Sequence, residues 1–95
     1  MHISEFQKMM KEIYYVKDKR RGIEKTYIWL VEEVGELGKA LIKGNIEDVS
    51  MEAADVLAWL LSLCNLLNID LEKASMRKYP GVCPRCRSKP CKCEE

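Results

Sequence analysis

Residues 32–55, EEVGELGKALIKGNIEDVSMEAAD, decide the fold of this 95-residue chain. The stretch holds seven acidic residues and two lysines, and the pair Gly44-Asn45 lies near its middle. Glycine ends helices because it adopts the left-handed backbone conformation without strain, and asparagine is a preferred cap at the start of a helix. The stretch therefore predicts an antiparallel helical hairpin with acidic residues in both arms.

Similar punctuation marks four helices in all. Ser4 with Gln7 has the pattern of an N-cap and capping box. Gly22 marks a break between helices, and Asp70 caps a short last helix. No stretch shows the alternating pattern of a strand, so the predicted fold class is all-α. The predicted helices span about residues 5–17, 23–43, 46–67 and 71–78.

The composition changes abruptly after Pro80-Gly81. Residues 1–80 form the predicted all-α domain, and residues 81–95 form a cysteine-rich tail. Charged residues make up 33% and apolar residues 47% of the chain, which favours a folded domain over a disordered one. Residues 73–93 carry seven bases and no acid. One surface is thus suited to cations and another to anions.

The sequence shows no sign of a membrane partner. The N-terminal residues MHISEFQKMMKEIYY are amphipathic and lack the central apolar region of a secretory signal. The most apolar run, residues 53–67, has 15 residues and contains Asp55, whereas a membrane span needs about 20 apolar residues. We therefore expect a buried helix and a cytoplasmic protein.

The third helix places an acidic residue on an apolar surface. Twelve of the residues in 53–67 are apolar, so this helix should be covered on most sides. Asp55 shares a helix face with Trp59, Leu63 and Leu66. An ionised carboxylate in apolar surroundings costs on the order of several kcal/mol unless it is paired or binds a metal. The glutamates of the second helix alone would fit a solvated face, but Asp55 favours a metal site.

Four carboxylates lie at matching heights in the predicted hairpin. At a rise of about 1.5 Å per residue, Glu36 and Glu52 each lie about 12 Å from the turn. Glu33 and Asp55 fall together at the next level. The four would repel one another without a counter-ion, and an all-oxygen set of ligands suits a hard cation, Mg²⁺ or Mn²⁺.

These acids also form a recognisable pattern. Residues 32–36 are EEVGE and residues 52–55 are EAAD, which resembles the EExxE…ExxD pattern of the MazG-like, all-α nucleoside triphosphate pyrophosphohydrolases. The likeness covers roughly residues 20–80 and includes the segments ADVLAWLL, NID and KYP. It implies a four-helix MazG-like bundle completed by oligomerisation, as a homodimer or homotetramer. One hairpin and two flanking helices cannot cover an apolar third helix, which agrees with that implication.

The resemblance also implies a chemistry. In that family, carboxylates bind Mg²⁺ and a water attacks the α-phosphorus of a nucleoside triphosphate, releasing a monophosphate and pyrophosphate. By position, the metal ligands would be Glu33, Glu36, Glu52 and Asp55. The catalytic residues would be Glu32, Glu33 and Glu36, with Glu32 orienting the water or holding a further ion.

Basic and aromatic residues would contact the nucleotide. Similar proteins use such groups near the fourth helix, and the chain has others before the acidic motif. The rings of Trp29 and Trp59 could stack on a base, although a Trp at helical spacing usually belongs to the core. The candidate substrate-binding residues are Lys73, Lys78, Tyr79, Arg21 and Trp59.

The tail contains four of the five cysteines, in the pattern C-x2-C-x4-C-x-C. Four thiolates within 11 residues suit tetrahedral Zn²⁺, and the tail has no apolar content to fold it otherwise. Two disulfides, or a disordered reduced tail, are the alternatives, and the expected cytoplasmic location favours zinc. Cys64 is predicted to be a core thiol. The predicted zinc ligands are Cys83, Cys86, Cys91 and Cys93.

The leading functional prediction is a Mg²⁺-dependent enzyme that cleaves the α–β phosphoanhydride of NTPs and dNTPs. Phosphoribosyl-ATP pyrophosphohydrolase, which has similar acidic motifs, is an alternative within the same superfamily. The alternative outside it is a non-enzymatic module, in which the basic zinc-binding tail grips nucleic acid and the helices only dimerise. Substrate turnover separates these functions.

Overall fold

The computed structural model describes all 95 residues and contains four α-helices and no strand. The predicted all-α class is therefore confirmed. The helices are α1 (Ile3–Arg21), α2 (Ile23–Lys43), α3 (Ile46–Leu66) and α4 (Leu71–Lys78).

The first helix begins earlier and ends later than predicted. Its N-cap is His2, whose backbone N–H donates a hydrogen bond to Glu5 Oε1 at 2.9 Å. The predicted capping box at Ser4 and Gln7 is wrong. The helix starts two residues earlier, where Glu5, at the third helical position, accepts the hydrogen bond from the N-cap residue His2. At the other end, the helix continues through the basic residues to Arg21, since cations in a last turn complement the helix dipole.

The capping residues of the other helices are the predicted ones. Gly44 ends α2 in the left-handed conformation, at φ 78°. Asn45 Oδ1 accepts a hydrogen bond from the Asp48 backbone N–H at 3.2 Å and starts α3. Asp70 Oδ1 accepts one from the Lys73 N–H at 3.1 Å and starts α4. The two-residue turn therefore makes α2 and α3 an antiparallel hairpin.

A buried polar contact fixes the other two helices to this hairpin. α1 packs mainly against α3, and the side chains of Gln7 and Asn65 are both buried between them. Gln7 Nε2 donates to Asn65 Oδ1 at 3.1 Å and to the Ile69 carbonyl at 2.7 Å. Gln7 Oε1 accepts from the Leu71 N–H at 3.2 Å, which joins the start of α4 to α1. Loss of any member would leave a buried polar group unpaired.

The apolar core of the single chain is small. Only nine of 95 residues are buried, and Leu61 and Cys64 are among them. Cys64 is thus confirmed as a core thiol, and burial raises its pKa. The apolar residues Tyr27, Val31 and Val34 lie on one face of α2, and each is about half exposed to solvent. A chain of this size normally buries far more apolar surface.

α3 is likewise less covered than its composition predicts, and Asp55 is exposed. The expected burial of this carboxylate among apolar side chains is therefore wrong for the single chain, because Asp55 borders an open cavity between α1 and α3. By length and hydropathy α3 would also qualify as a membrane span. The acidic residues Glu52 and Asp55 are costly inside a bilayer, and α3 packs along α1 and α2 within the chain.

Candidate active site

Three carboxylates from the hairpin converge on one point. Glu33 of α2 and Glu52 and Asp55 of α3 each offer an oxygen, and these oxygens all lie within 4.8 Å of one another. Glu52 and Asp55 are one helical turn apart, so they project to the same side of α3. The short turn brings α2 alongside, which places Glu33 opposite them. We call these three residues the acidic cluster.

The carboxylates of the acidic cluster repel one another, and no basic side chain balances their charge. The pKa of Glu33 is raised above its ordinary value, first by partial burial and then by the negative charges of Asp55, Glu52 and Glu36. A hydrogen bond with Glu52 raises it further. No lysine or arginine forms an ion pair with any of the three residues of the cluster. The hard oxygen donors and the excess negative charge fit a divalent cation such as Mg²⁺ or Mn²⁺.

The other two acids of the motif lie outside the acidic cluster. Glu36 is close enough to raise the pKa of Glu33, but its carboxylate is more than half exposed and lies 3.8 Å from Lys39 Nζ. Glu32 is exposed. Of the four predicted metal ligands, the structure therefore brings three together and leaves Glu36 at the edge.

A cavity of about 270 Å³ lies beside the acidic cluster, between α1 and α3. Asp55 belongs to both, so a ligand in the cavity touches the cluster. The predicted substrate residues Arg21 and Trp59 line it. Sequence reasoning missed the other three α1 residues of its wall, although their spacing of four, three and four residues up to Arg21 marks one helix face. The full lining is Met10, Tyr14, Lys17, Arg21, Asp55, Ala58, Trp59 and Ser62.

Aromatic and cationic groups stack on this wall of the cavity. The rings of Trp29 and Trp59 are stacked, with centroids 6.0 Å apart and planes 16° from parallel. The guanidinium carbon of Arg21 lies 4.6 Å from the centroid of Trp59, within the range of a cation–π contact. Trp59 is therefore packed by protein groups and also borders the cavity.

The predicted substrate residues of the C-terminal part are not near the acidic cluster in the single chain. Lys73 and Lys78 lie on α4, which packs against α1, and neither lines the cavity. Tyr79 follows α4 and borders a separate open groove against the tail, with Lys78 Nζ 5.6 Å above its ring. The structure thus divides the five predicted residues, with two at the cavity and three elsewhere.

Four thiols of the tail form a second cluster. The Sγ atoms of Cys83, Cys86, Cys91 and Cys93 all lie within 4.8 Å of one another, and none is in a disulfide. The Lys92 N–H donates to Cys86 Sγ at 3.3 Å. This bond and a second one from the Ser88 N–H lower the pKa of Cys86 to about 6. This arrangement suggests metal binding.

The family model of the MazG nucleotide pyrophosphohydrolase domain matches residues 21–87, more than two thirds of the chain. The chain belongs to the MazG family. The MazG match contains the whole acidic cluster and ends inside the tail, between Cys86 and Cys91. Membership places the chain in a family of nucleotide pyrophosphohydrolases, and MazG proteins generally use a divalent metal. None of the curated proteins compared with the chain matches it.

Proposed function

We propose that the protein is a Mg²⁺-dependent pyrophosphohydrolase of nucleoside triphosphates, cleaving NTPs or dNTPs to the monophosphate and pyrophosphate. The observation that carries the proposal is the meeting of Glu33, Glu52 and Asp55 at the edge of a cavity in a MazG chain. The three carboxylates form a candidate metal site. The cavity beside them has basic and aromatic side chains on its wall, which suit the phosphates and the base of a nucleotide.

In this mechanism the acidic cluster holds Mg²⁺ or Mn²⁺. When bound, the ion supplies charge neutralisation for phosphate oxygens and lowers the pKa of a coordinated water. Glu36, which lies at the edge of the cluster, would orient the attacking water and accept its proton. Glu32 supports this role from the exposed side of α2. The chain contributes position and charge, which is most of what phosphoryl transfer requires.

A panel of NTPs and dNTPs tests this proposal. We expect pyrophosphate release from at least one of them with Mg²⁺, and none when EDTA is present. Phosphoribosyl-ATP is included because the same acidic motif serves that substrate in the superfamily. Absence of pyrophosphate from every substrate would overturn the proposal.

The binding of the metal should weaken as the pH falls. Because the pKa of Glu33 is raised in the folded chain, protons compete with the cation at a higher pH than for a free glutamate. The metal-free protein, in turn, loses stability from this group as the pH rises through the raised pKa. We expect the increase in Tm on adding Mn²⁺ to shrink between pH 8 and pH 5. In Glu33→Gln the remaining increase should vary less with pH, and an equally steep dependence would contradict the assignment.

We also propose that the enzyme is a homo-oligomer. The chain exposes 7545 Å² of surface, whereas a compact monomer of 11.0 kDa exposes about 5,600 Å². The excess of roughly 1,900 Å² per chain is of the size that one subunit buries in a permanent interface. The half-exposed stripe Tyr27, Val31, Val34 and Leu41 of α2 is the natural contact for a second copy.

The thiol cluster is proposed to bind a separate, structural Zn²⁺. At a Zn–S distance of about 2.3 Å, the edge of a tetrahedron is about 3.8 Å. The Sγ–Sγ distances are 3.6 Å for Cys83–Cys91, 3.9 Å for Cys83–Cys93 and 4.0 Å for Cys86–Cys91. They are far longer than the roughly 2.05 Å of a disulfide. A reducing compartment such as the cytoplasm would keep these thiols free for zinc.

Removal of this zinc should unfold the tail and leave the helices intact. We expect about one zinc per chain by elemental analysis, and its loss in a Cys86→Ser, Cys91→Ser double variant. Residues 81–95 should then become sensitive to protease while the helical circular dichroism is retained, because the tail has no apolar core.

Cys64→Ala is the matched control for this experiment, since it removes a thiol outside the cluster and should keep the zinc. Full zinc content in the double variant, or none in wild-type protein purified without chelators, would refute the assignment.

A further inference from the structure

Two cationic side chains line the cavity together with Asp55, one member of the acidic cluster. Lys17 and Arg21 lie four residues apart on α1, so they occupy one helix face, and Asp55 faces them from α3 across the cavity. A ligand that contacts the acidic cluster at Asp55 and fills the cavity therefore extends between these cations. Of the parts of a nucleotide, an anionic phosphate group would form the strongest hydrogen bonds at this position, because both partners would be charged.

Arg21 is held in place by two buried side chains. Its Nη1 donates to Asp18 Oδ1 at 2.9 Å and lies 3.3 Å from Thr26 Oγ1. The Asp18 side chain is 2% exposed and Thr26 is fully buried. Trp59 supports the flat side of the guanidinium. These contacts engage one terminal nitrogen, and the guanidinium has five N–H donors in a rigid fork. The N–H groups of Nη2 and Nε remain for a ligand.

Asp18 has a feature that a simple structural ion pair does not explain. Its second oxygen, Oδ2, is buried and accepts no hydrogen bond. A half-satisfied buried carboxylate is unfavourable, and buried groups of this kind are rare in folded proteins. Its single ionic partner is an arginine that borders the cavity. A role in orienting Arg21 explains why a charged side chain is present at the buried position 18.

We infer that Arg21 and Lys17 bind the pyrophosphate that leaves the substrate, and that Asp18 and Thr26 are positioning residues for Arg21. This inference rests on the proposed function. In the reaction the water oxygen bonds to the α-phosphorus, and the bond from that phosphorus to the α–β bridging oxygen breaks. The electron pair of that bond departs on pyrophosphate, and Glu36 accepts the proton that the water loses and releases it to solvent. A permanently charged guanidinium neutralises the departing oxygens without a proton transfer.

Product inhibition tests the inference, because the two products occupy different parts of the site. In Arg21→Lys and Asp18→Asn we expect the inhibition constant of pyrophosphate to rise about tenfold, with that of the monophosphate changed less than twofold. Thr26→Val should shift the same constant in the same direction, and Thr26→Ser, which keeps the hydroxyl, should restore it. Arg20→Lys, a conservative change at an exposed neighbouring residue, is the control and should change neither constant.

Two results would overturn the inference while the proposed function stands. One is an unchanged pyrophosphate constant in Arg21→Lys. The other is a rise in the monophosphate constant alone, which would assign the cavity to the nucleoside. Calorimetric titration of pyrophosphate with Mg²⁺ into the full chain asks the same question without turnover. Binding that Arg21→Lys weakens supports the inference even if no triphosphate is hydrolysed, and absence of binding to the wild type refutes it.

Discussion

Glu33→Gln should abolish turnover and leave the fold intact. Glu33 is the member of the acidic cluster from α2, so its loss leaves two ligands on a single helix. We expect kcat/KM to fall by about 10³-fold, the upper end of what removal of one charge-stabilising group costs, and Mn²⁺ binding to weaken in parallel. The substitution also removes repulsion from Asp55 and Glu52. The metal-free variant should therefore unfold at the same temperature as the wild type or a higher one.

Glu47→Gln provides the matched control, because Glu47 is an exposed acid in the first turn of α3 and lies outside the cluster. It should keep wild-type kcat/KM and Mn²⁺ affinity. Wild-type activity in Glu33→Gln would exclude this glutamate as a ligand. A collapse of Tm together with activity would mean that Glu33 acts through the fold.

Val34→Asp should dissociate the oligomer. Val34 lies in the middle of the exposed apolar stripe of α2 and is 51% exposed in the single chain. A carboxylate there would be desolvated in an interface between two copies. We expect light scattering to show a monomer and the Tm to fall by about 10 °C or more, since roughly 1 kcal/mol shifts a domain of this size by several degrees. The wild-type Tm should rise with protein concentration, as mass action requires.

Lys43→Asp is the corresponding control, because it introduces the same acidic side chain, with an even larger change of net charge, at an exposed residue of α2 away from the stripe. Its oligomeric state should match the wild type. A wild-type protein that is monomeric at micromolar concentration, or a Val34→Asp protein that still forms the wild-type oligomer, would contradict this interface.

Local signals in the sequence predicted the features that local chemistry controls. Gly44 and Asn45 indicated the turn, and counting from the turn put Glu33 level with Asp55. The same counting paired Glu36 with Glu52, whereas the structure brings Glu33 to both Glu52 and Asp55 and leaves Glu36 at the edge. The start of α1 was missed because two capping patterns, one at His2 and one at Ser4, compete within three residues. A capping box at Ser4 would need the side chain of Gln7, but in the folded chain that side chain donates a hydrogen bond to Asn65.

Burial and the cavity could not be predicted in the same way. Apolar periodicity puts Val31 and Val34 on one face of α2, but it does not predict whether the same chain or a second copy would cover that face. The cavity wall on α1 is formed by residues whose partners lie on α3, more than 30 positions along the chain, and only the packing of the two helices brings them together.

Hydrolysis in ¹⁸O-labelled water tests most directly the claim that water attacks the α-phosphorus. Mass spectrometry of the products should show one ¹⁸O in the nucleoside monophosphate and none in pyrophosphate. Label in pyrophosphate or in inorganic phosphate would place the attack at another phosphorus, and the assignment of the acidic cluster to α–β cleavage would then be wrong.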